Sequence, residues 1–169
     1  MELNPICQIK LSPLTEADIE AVFEIYRQCQ EFLALGPQPE ASREMVLRAV
    51  QDSDSKHGVY YGIYLLSSDM VGVLDMLPLE IENQVDSVNL NLLMITPQYR
   101  RQGIGTQVLR VIESEVYKKT GISQFTTSVQ VNNPDARRFW EKNGYSAFSE
   151  PELQPDSTKV VHLKKALKI

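Results

Sequence analysis

Seven residues, Arg100-Arg101-Gln102-Gly103-Ile104-Gly105-Thr106, constrain this chain more than any other stretch, because they join a strand pattern to a helix pattern. Upstream, Val88-Asn89-Leu90-Asn91-Leu92-Leu93-Met94-Ile95 alternates and then turns fully apolar, as a strand entering a core does. Downstream, Ile104, Val108, Val111, Ile112 and Val116 fall on one face at helical spacing. Glycine at the first turn removes the Cβ that would hold a ligand off the backbone. The unpaired N–H groups and the helix dipole then favour an anion, and phosphate or pyrophosphate suits that geometry.

Other phosphate motifs are excluded by their letters. A dinucleotide fingerprint needs a third glycine where Val108 stands. A P-loop needs Lys-Ser/Thr after its second glycine, and here Thr106-Gln107 follows Gly105. Arg100-x-x-Gly103-x-Gly105 instead resembles the acyl-CoA signature, Gln/Arg-x-x-Gly-x-Gly/Ala, of the GNAT superfamily of acetyl-CoA-dependent N-acetyltransferases. Farther on, Asn133-Pro134-Asp135-Ala136-Arg137-Arg138-Phe139-Trp140-Glu141-Lys142-Asn143-Gly144-Tyr145 resembles that superfamily's Asn-x-x-Ala…Tyr-Glu-Lys-x-Gly-Phe segment. The likeness covers roughly residues 88 to 148, and the first half of the chain matches in layout only.

A length of 169 residues suits one domain with a proper core, so residues 1–169 are read as a single N-acetyltransferase domain. No apolar run reaches membrane-spanning length, and Met1-Glu2-Leu3-Asn4-Pro5 lacks the regions of a signal peptide, so a cytoplasmic protein is expected. Cys7 and Cys29 offer neither a disulfide framework nor metal-ligand spacing, and His57 and His162 lie far apart, so no metal site is expected. Charge is unevenly spread. From Thr96 to Lys142, eight Lys/Arg face four Asp/Glu, which makes that segment +4 and leaves −9 on the rest of a chain whose net charge is −5. A locally basic half in an acidic protein suits a small polyanion and argues against a duplex nucleic-acid partner. Several of these charges, Arg110, Lys118, Lys119 and Lys142 among them, read as solvated helix faces.

The pattern along the chain is strand, two helices, hairpin strands, helix, strand, helix, strands. Ile6 to Leu11 reads as the first strand, Thr15 and Asp18 as a capping box, and Ile19, Val22, Phe23 and Tyr26 as a buried helix face ended by Gly36-Pro37. Ser42 caps a second helix through Met45, Val46, Ala49 and Val50. Strands follow at Gly58 to Leu66 and Met70 to Leu77, joined by Ser67-Ser68-Asp69, and another runs to Ile95. Gln124 to Val131 alternates as a strand, Asn133-Pro134 starts a short helix, and strands are expected at Tyr145 to Phe148 and Lys159 to Leu167. The fold class is thus α/β (α+β). With the resemblance, it becomes a mixed sheet of about six to seven strands flanked by about four helices, with two central strands splayed to hold acyl-CoA.

That resemblance implies residue roles. Backbone groups of Leu93, Met94 and Ile95 would pair with pantetheine as an added strand does. Arg100, Arg101, Gln102, Gly103, Ile104, Gly105 and Thr106 would hold the pyrophosphate, Asn133 would cap its helix and stand near pantetheine, and Trp140 would lie by the thiol. Acetyl-CoA is the implied co-substrate, with no metal required. A backbone N–H near Leu93 or Met94 would stabilise the oxyanion. Trp140 replaces the tyrosine that many relatives carry as proton donor. An indole N–H gives up no proton at accessible pH, so either the thiolate leaves unprotonated or another donor such as Tyr145 or Tyr99 serves. For the general base two carboxylates compete: Asp75, which interrupts an apolar strand, and Glu31, in the first helix–helix connection.

The expected activity is transfer of acetyl from acetyl-CoA to a primary amine of a small molecule or peptide by direct attack. The acidity outside the CoA segment favours a cationic acceptor, such as a polyamine, an aminoglycoside or a peptide amine. A non-catalytic acyl-CoA-binding sensor or scaffold would share the same loop, and a longer acyl donor would need only a roomier pocket. Whether the chain pairs as a homodimer is left open by the sequence, and neither a nucleic acid nor a membrane is expected as a partner.

Overall fold

The structure, a computed structural model, describes residues 9–67 and 69–168. Its strands are β1 (Ile9–Pro13), β2 (Val59–Leu65), β3 (Met70–Ile81), β4 (Gln84–Ile95), β5 (Gln124–Gln130), β6 (Ser146–Ala147), β7 (Glu152–Leu153) and β8 (Lys159–Ala166). The helices are α1 (Ile19–Gln28), α2 (Gln30–Leu33), α3 (Arg43–Ser55), α4 (Ile104–Thr120) and α5 (Pro134–Lys142). One sheet runs β1-β2-β3-β4-β5-β8-β6, with β7 also pairing β8. Among the described residues only β4 and β5 pair in parallel, with α4 as their crossover; every other pair there is antiparallel. A mixed sheet with helices on both faces is the expected architecture, with one more helix, α2, and one more very short strand, β7, than the sequence pattern suggests.

Alternation along the strands divides the interior into two layers. On one face Leu74, Leu90, Phe125 and Leu163 pack under Val108 and Ile112 of α4 and Trp140 of α5. On the other, Tyr60, Val73 and Met94 pack under Val22, Ile25 and Val46 of α1 and α3. The second layer covers β2, β3 and the end of β4, and among the described residues no helix of that layer packs on β5 or β8. Half of one sheet face is therefore bare, and that asymmetry positions the site.

Helix signals hold well. Thr15 and Asp18 form the reciprocal capping box, Ser42 accepts from Met45 N–H at 3.1 Å, and Gly121 ends α4 at φ 76°. Three boundaries differ. α1 breaks at Cys29, before Gly36-Pro37, because the buried Cys29 backbone leaves helical geometry (φ −104°, ψ 31°) and the chain restarts as α2. β3 continues past Leu77 to Ile81 and turns through Glu82 and Asn83, at φ 51° and 63°, into β4. Two left-handed turn residues make the tight hairpin connection that matches strand twist. Pro78 is tolerated there since Met76 is the last β3 residue paired with β2, so beyond it β3 has a free edge. The first strand runs past Leu11 to Pro13, which pairs with Tyr61 of β2, and among the described residues it begins at Ile9. Ile6 to Gln8, including Cys7, lies outside them, as does Ser68 of the turn.

Candidate active site

β4 and β5 pair at only two positions, Val88 with Phe125 and Asn89 with Thr126, and then part. The cause sits in β4. Against β3, Leu90 pairs with Met76 and Leu92 with Asp75, so Asn91 is an extra, bulged residue. A bulge bends its strand, and this one falls two residues beyond the last β5 contact, so β4 swings away from β5. Thr96 N–H donates to Val71 O on the β3 side at 2.9 Å. Since backbone groups alternate sides along an antiparallel ladder, Met94 also faces β3 while Leu93 and Ile95 turn their N–H and C=O to the open side. The Ile95 carbonyl agrees, accepting from Arg100 Nε at 2.7 Å and from the Cys29 thiol at 3.7 Å. An open strand edge thus lines one wall of a gap inside the sheet, its groups offered by Leu93 and Ile95, while Met94, the third residue expected there, turns its own to β3.

At the wide end of the gap the chain winds tightly into α4. Tyr99 N–H donates to Thr96 O, Gln102 Nε2 folds back onto Gln98 O at 2.8 Å, and Arg101 and Gly103 take left-handed conformations (φ 59° and 80°). Gly103 is the N-cap of α4 and offers no side chain; the first turn carries no acidic residue. The N–H groups of Ile104, Gly105 and Thr106 therefore have no intrahelical partner, and the dipole is unopposed. The two glycines serve different ends. Around Gly103 a Cβ would meet nothing within 4 Å, so its requirement is the left-handed backbone. A Cβ on Gly105 would stand 2.9 Å from Phe139 Cε2, so that glycine is fixed by packing of α4 on α5.

The α1–α2 corner roofs the gap. Glu31 forms an ion pair with Arg100 at 2.5 Å, so two sequence candidates meet, and the Arg100 guanidinium lies against strand end and helix corner instead of in the α4 loop. Burial pushes the Cys29 thiol up, partly offset by the Arg100 charge. Across the gap, Asn132 Nδ2 donates to Leu35 O at 3.3 Å. Gln130 Oε1 is buried with no hydrogen-bond partner among the described residues. A buried orphan acceptor is costly unless something donates to it, and the end of β5 is where this one sits.

At the narrow end, a row of polar side chains runs along that sheet face, from beneath α3 out onto its bare half. Asp75, 3 % exposed, accepts from Ser53 Oγ at 2.6 Å and from Asn91 Nδ2 at 2.8 Å. Burial pushes its carboxyl up, and the two hydrogen bonds and the Lys56 charge partly offset that. Next come Asn89 and Thr126, hydrogen-bonded at 3.1 Å across the last strand pair. Ser128 follows on β5, facing His162 on β8: Ser128 Oγ to His162 Nδ1 is 2.7 Å, and His162 Nε2 to Glu152 Oε2 is 2.9 Å. Sequence reasoning weighed His162 only as a metal ligand and passed over Ser128 and Glu152. The three lie 34 and 10 positions apart, and the β5–β8 and β7–β8 registers join them. The one available signal was that His162 falls on the polar phase of an alternating strand.

Asn133 caps α5 by accepting from Ala136 N–H at 3.1 Å. Trp140 is 6 % exposed and packs edge-on against Phe139 and Tyr145, with ring centroids 5.4 and 4.9 Å apart. Tyr145 points into the same layer, where its hydroxyl donates to Glu113 at 2.7 Å and Lys165 closes the cluster at 2.6 Å. Burial first, then the Glu113 charge, hold the Tyr145 phenol far above the ordinary tyrosine range. A phenol so placed is a poor acid, and its proton is already committed to Glu113. Glu31 is tied through Arg100 to Ile95, which stands four strand residues from Asn91, about 13 Å along β4.

A family model described as an acetyltransferase (GNAT) domain matches residues 8–146. The chain belongs to the GNAT acetyltransferase family. It is an acyltransferase whose co-substrate is acetyl-CoA. No curated protein gives a significant match. Solved structures share the fold at low identity. An acetyltransferase from Thermus thermophilus is 20 % identical with a TM-score of 0.76, covering 95 % of this chain and 97 % of that one. An acetyltransferase of Salmonella typhimurium that modifies the N-terminal serine of a 50S ribosomal subunit protein is 18 % identical, TM-score 0.78, covering 95 % of each. Spermidine N-acetyltransferase from Vibrio cholerae, in complex with CoA and spermine, is 13 % identical, TM-score 0.74, covering 94 % and 95 %. Among the described residues of this GNAT chain no helix is long and apolar enough to cross a membrane.

Proposed function

We propose that this GNAT domain is an N-acetyltransferase that transfers acetyl from acetyl-CoA to a primary amine by direct attack. The observation that carries the reading is the gap itself: two parallel strands that pair at two positions and part beside an N-terminal helix turn with free N–H groups. Leu93 and Ile95 would pair with the pantetheine amides along the open edge, and Gln130 Oε1 offers a further acceptor at the opposite wall. The N–H groups of Gly103 to Thr106 would hold the pyrophosphate, with Arg101 supplying charge at the same loop. Arg100 fixes the end of β4 through Ile95 O, and Glu31 fixes Arg100. Acetyl-CoA supplies an activated thioester carbonyl, and Leu93 N–H is the donor suited to the oxyanion formed when the amine attacks it.

The acceptor is read as approaching over the bare face, where Asp75 holds Asn91 by its amide nitrogen and so leaves Asn91 Oδ1 free to accept from the incoming amine. With both Asp75 oxygens engaged, Asp75 serves to orient Asn91, not to take the proton. Trp140 packs at the base of the site and donates no proton, so the thiolate leaves as such. Two structural neighbours act on a peptide α-amine and on a polyamine, which supports a primary amine as the acceptor class. A panel of peptides, polyamines and aminoglycosides, assayed by free-thiol release with mass detection of the acetyl product, tests the reading. Acceptor-dependent thiol release supports it. Tight CoA binding without release from any amine contradicts it.

A further inference from the structure

The reaction as proposed lacks a group that takes the amine's proton, and none of the carboxylates singled out from the sequence is placed for it. Asp75 has both oxygens occupied, and Glu31 is paired with Arg100 at the far end of the gap. A different chain of groups ends at the narrow end. Ser128 lies two residues past Thr126, the last β5 residue that pairs with β4, and shares its face with Asn89 and Thr126. Val161 and Leu163 belong to the opposite layer, which turns His162 to the same bare face as Ser128.

The chemistry of the chain fixes its polarity. A carboxylate only accepts hydrogen bonds, so the contact between Glu152 and His162 requires the imidazole proton on Nε2. In the neutral ring Nδ1 then carries a lone pair and accepts from the Ser128 hydroxyl. A neutral imidazole held in this tautomer by a carboxylate is the arrangement that draws a proton from a hydroxyl and from whatever that hydroxyl touches. His162 is held in register: its backbone N–H donates to Ser149 Oγ at 3.0 Å, and Phe148 lies over the ring with a centroid distance of 6.1 Å. Lys164, the neighbouring cation on β8, is drawn aside over the Phe148 ring.

We propose that Ser128, His162 and Glu152 form the proton relay of this acetyltransferase, an inference that rests on the amine-acetylation reading. Ser128 Oγ meets the acceptor amine. As the amine nitrogen bonds to the carbonyl carbon and the C–S bond breaks, the nitrogen's proton passes to Ser128 Oγ while Ser128's own proton passes to His162 Nδ1. Sulfur leaves with the bonding pair and takes its proton from water, and His162 returns its proton to water. Glu152 is a positioning residue that stabilises the imidazolium.

Two measurements test this. With an amine that the parent protein acetylates, His162→Ala should lower kcat about a hundredfold, the usual contribution of a positioned base, with CoA affinity and the melting midpoint unchanged. Ser128→Ala should act alike, and imidazole added to the buffer should restore part of the His162→Ala rate. Values of kcat within about threefold of the parent in both variants would overturn the relay. Nitrogen-15 NMR of the His162 ring, assigned with the same variant, needs no turnover: Nε2-protonated imidazole is expected, and the Nδ1-protonated tautomer would overturn the relay. Should no amine be acetylated, the functional reading fails, and the tautomer still decides whether the triad is wired as proposed.

Discussion

The two ends of the β4–β5 gap are built from different materials. At the wide end the groups that the proposed function draws on are backbone: the open edge at Leu93 and Ile95, and the first-turn N–H groups after Gly103. At the narrow end they are side chains, in two hydrogen-bonded chains that converge from opposite directions, Ser53-Asp75-Asn91 and Glu152-His162-Ser128. Backbone groups recognise a constant ligand part whatever side chains surround them. Side chains can be exchanged without refolding the strand, so under the proposed function the narrow end is where one family member can differ from another in acceptor and proton chemistry.

Substitutions that hit one end and spare the other are the way to break this division. The largest effect is expected from Gly103→Val, which puts a branched side chain on a left-handed backbone at the cap of α4. Losing two charge-assisted backbone contacts should weaken CoA binding about a hundredfold by calorimetry. Gly105→Ala should instead show up as lost stability, about 1–3 kcal/mol in urea, because its new methyl meets Phe139. An equal loss of affinity without loss of stability would erase the distinction between the two glycines. Next in size, Asn91→Ala should reduce kcat roughly tenfold through one lost hydrogen bond to the acceptor while leaving CoA affinity intact; a fall in CoA affinity alone would move Asn91 to the other end.

Smaller effects sharpen the same contrast. Trp140→Phe should lose less than about tenfold in kcat, since the ring packs in a core layer and transfers no proton. A loss of several hundredfold with the fold intact would show the indole at work in the chemistry. Arg100→Ala should weaken CoA binding severalfold, by loosening the Ile95 end of β4, where Lys118→Ala should do nothing. Equal effects would mean general electrostatics. The smallest signal is in the pH dependence of stability. Burial raises the Asp75 carboxyl, so below its ordinary value of 3.8 both folded and unfolded states hold the proton. As pH rises from there the unfolded chain ionises first, and stability falls until pH passes the raised native value. Asp75→Asn should flatten that stretch of the urea midpoint against pH.

How much of the molecule was legible follows from the same division. Caps, strand phases and the glycine turn are local, so Thr15, Ser42, Gly103 and Asn133 could be read from their immediate neighbours. The hairpin beyond Leu77 was hidden by Pro78 and the charges after it, which a free sheet edge tolerates. Arg100 was read by its place beside the glycines, yet its partners Cys29 and Glu31 come from the far end of the first helical segment, and only the helix break at Cys29 brings them near. Tyr145 was read by position too, and burial against Glu113 gave its hydroxyl another partner. Ser128, His162 and Glu152 were illegible because strand register, not sequence spacing, assembles them.

Amide hydrogen exchange along β4, with and without saturating CoA, tests the central claim most directly. The open edge predicts that Leu93 and Ile95 amides slow by about tenfold or more when CoA binds, while Met94, already turned to β3, does not change. Exchange of Leu93 and Ile95 at the same rate in both conditions, with CoA demonstrably bound, would contradict the account.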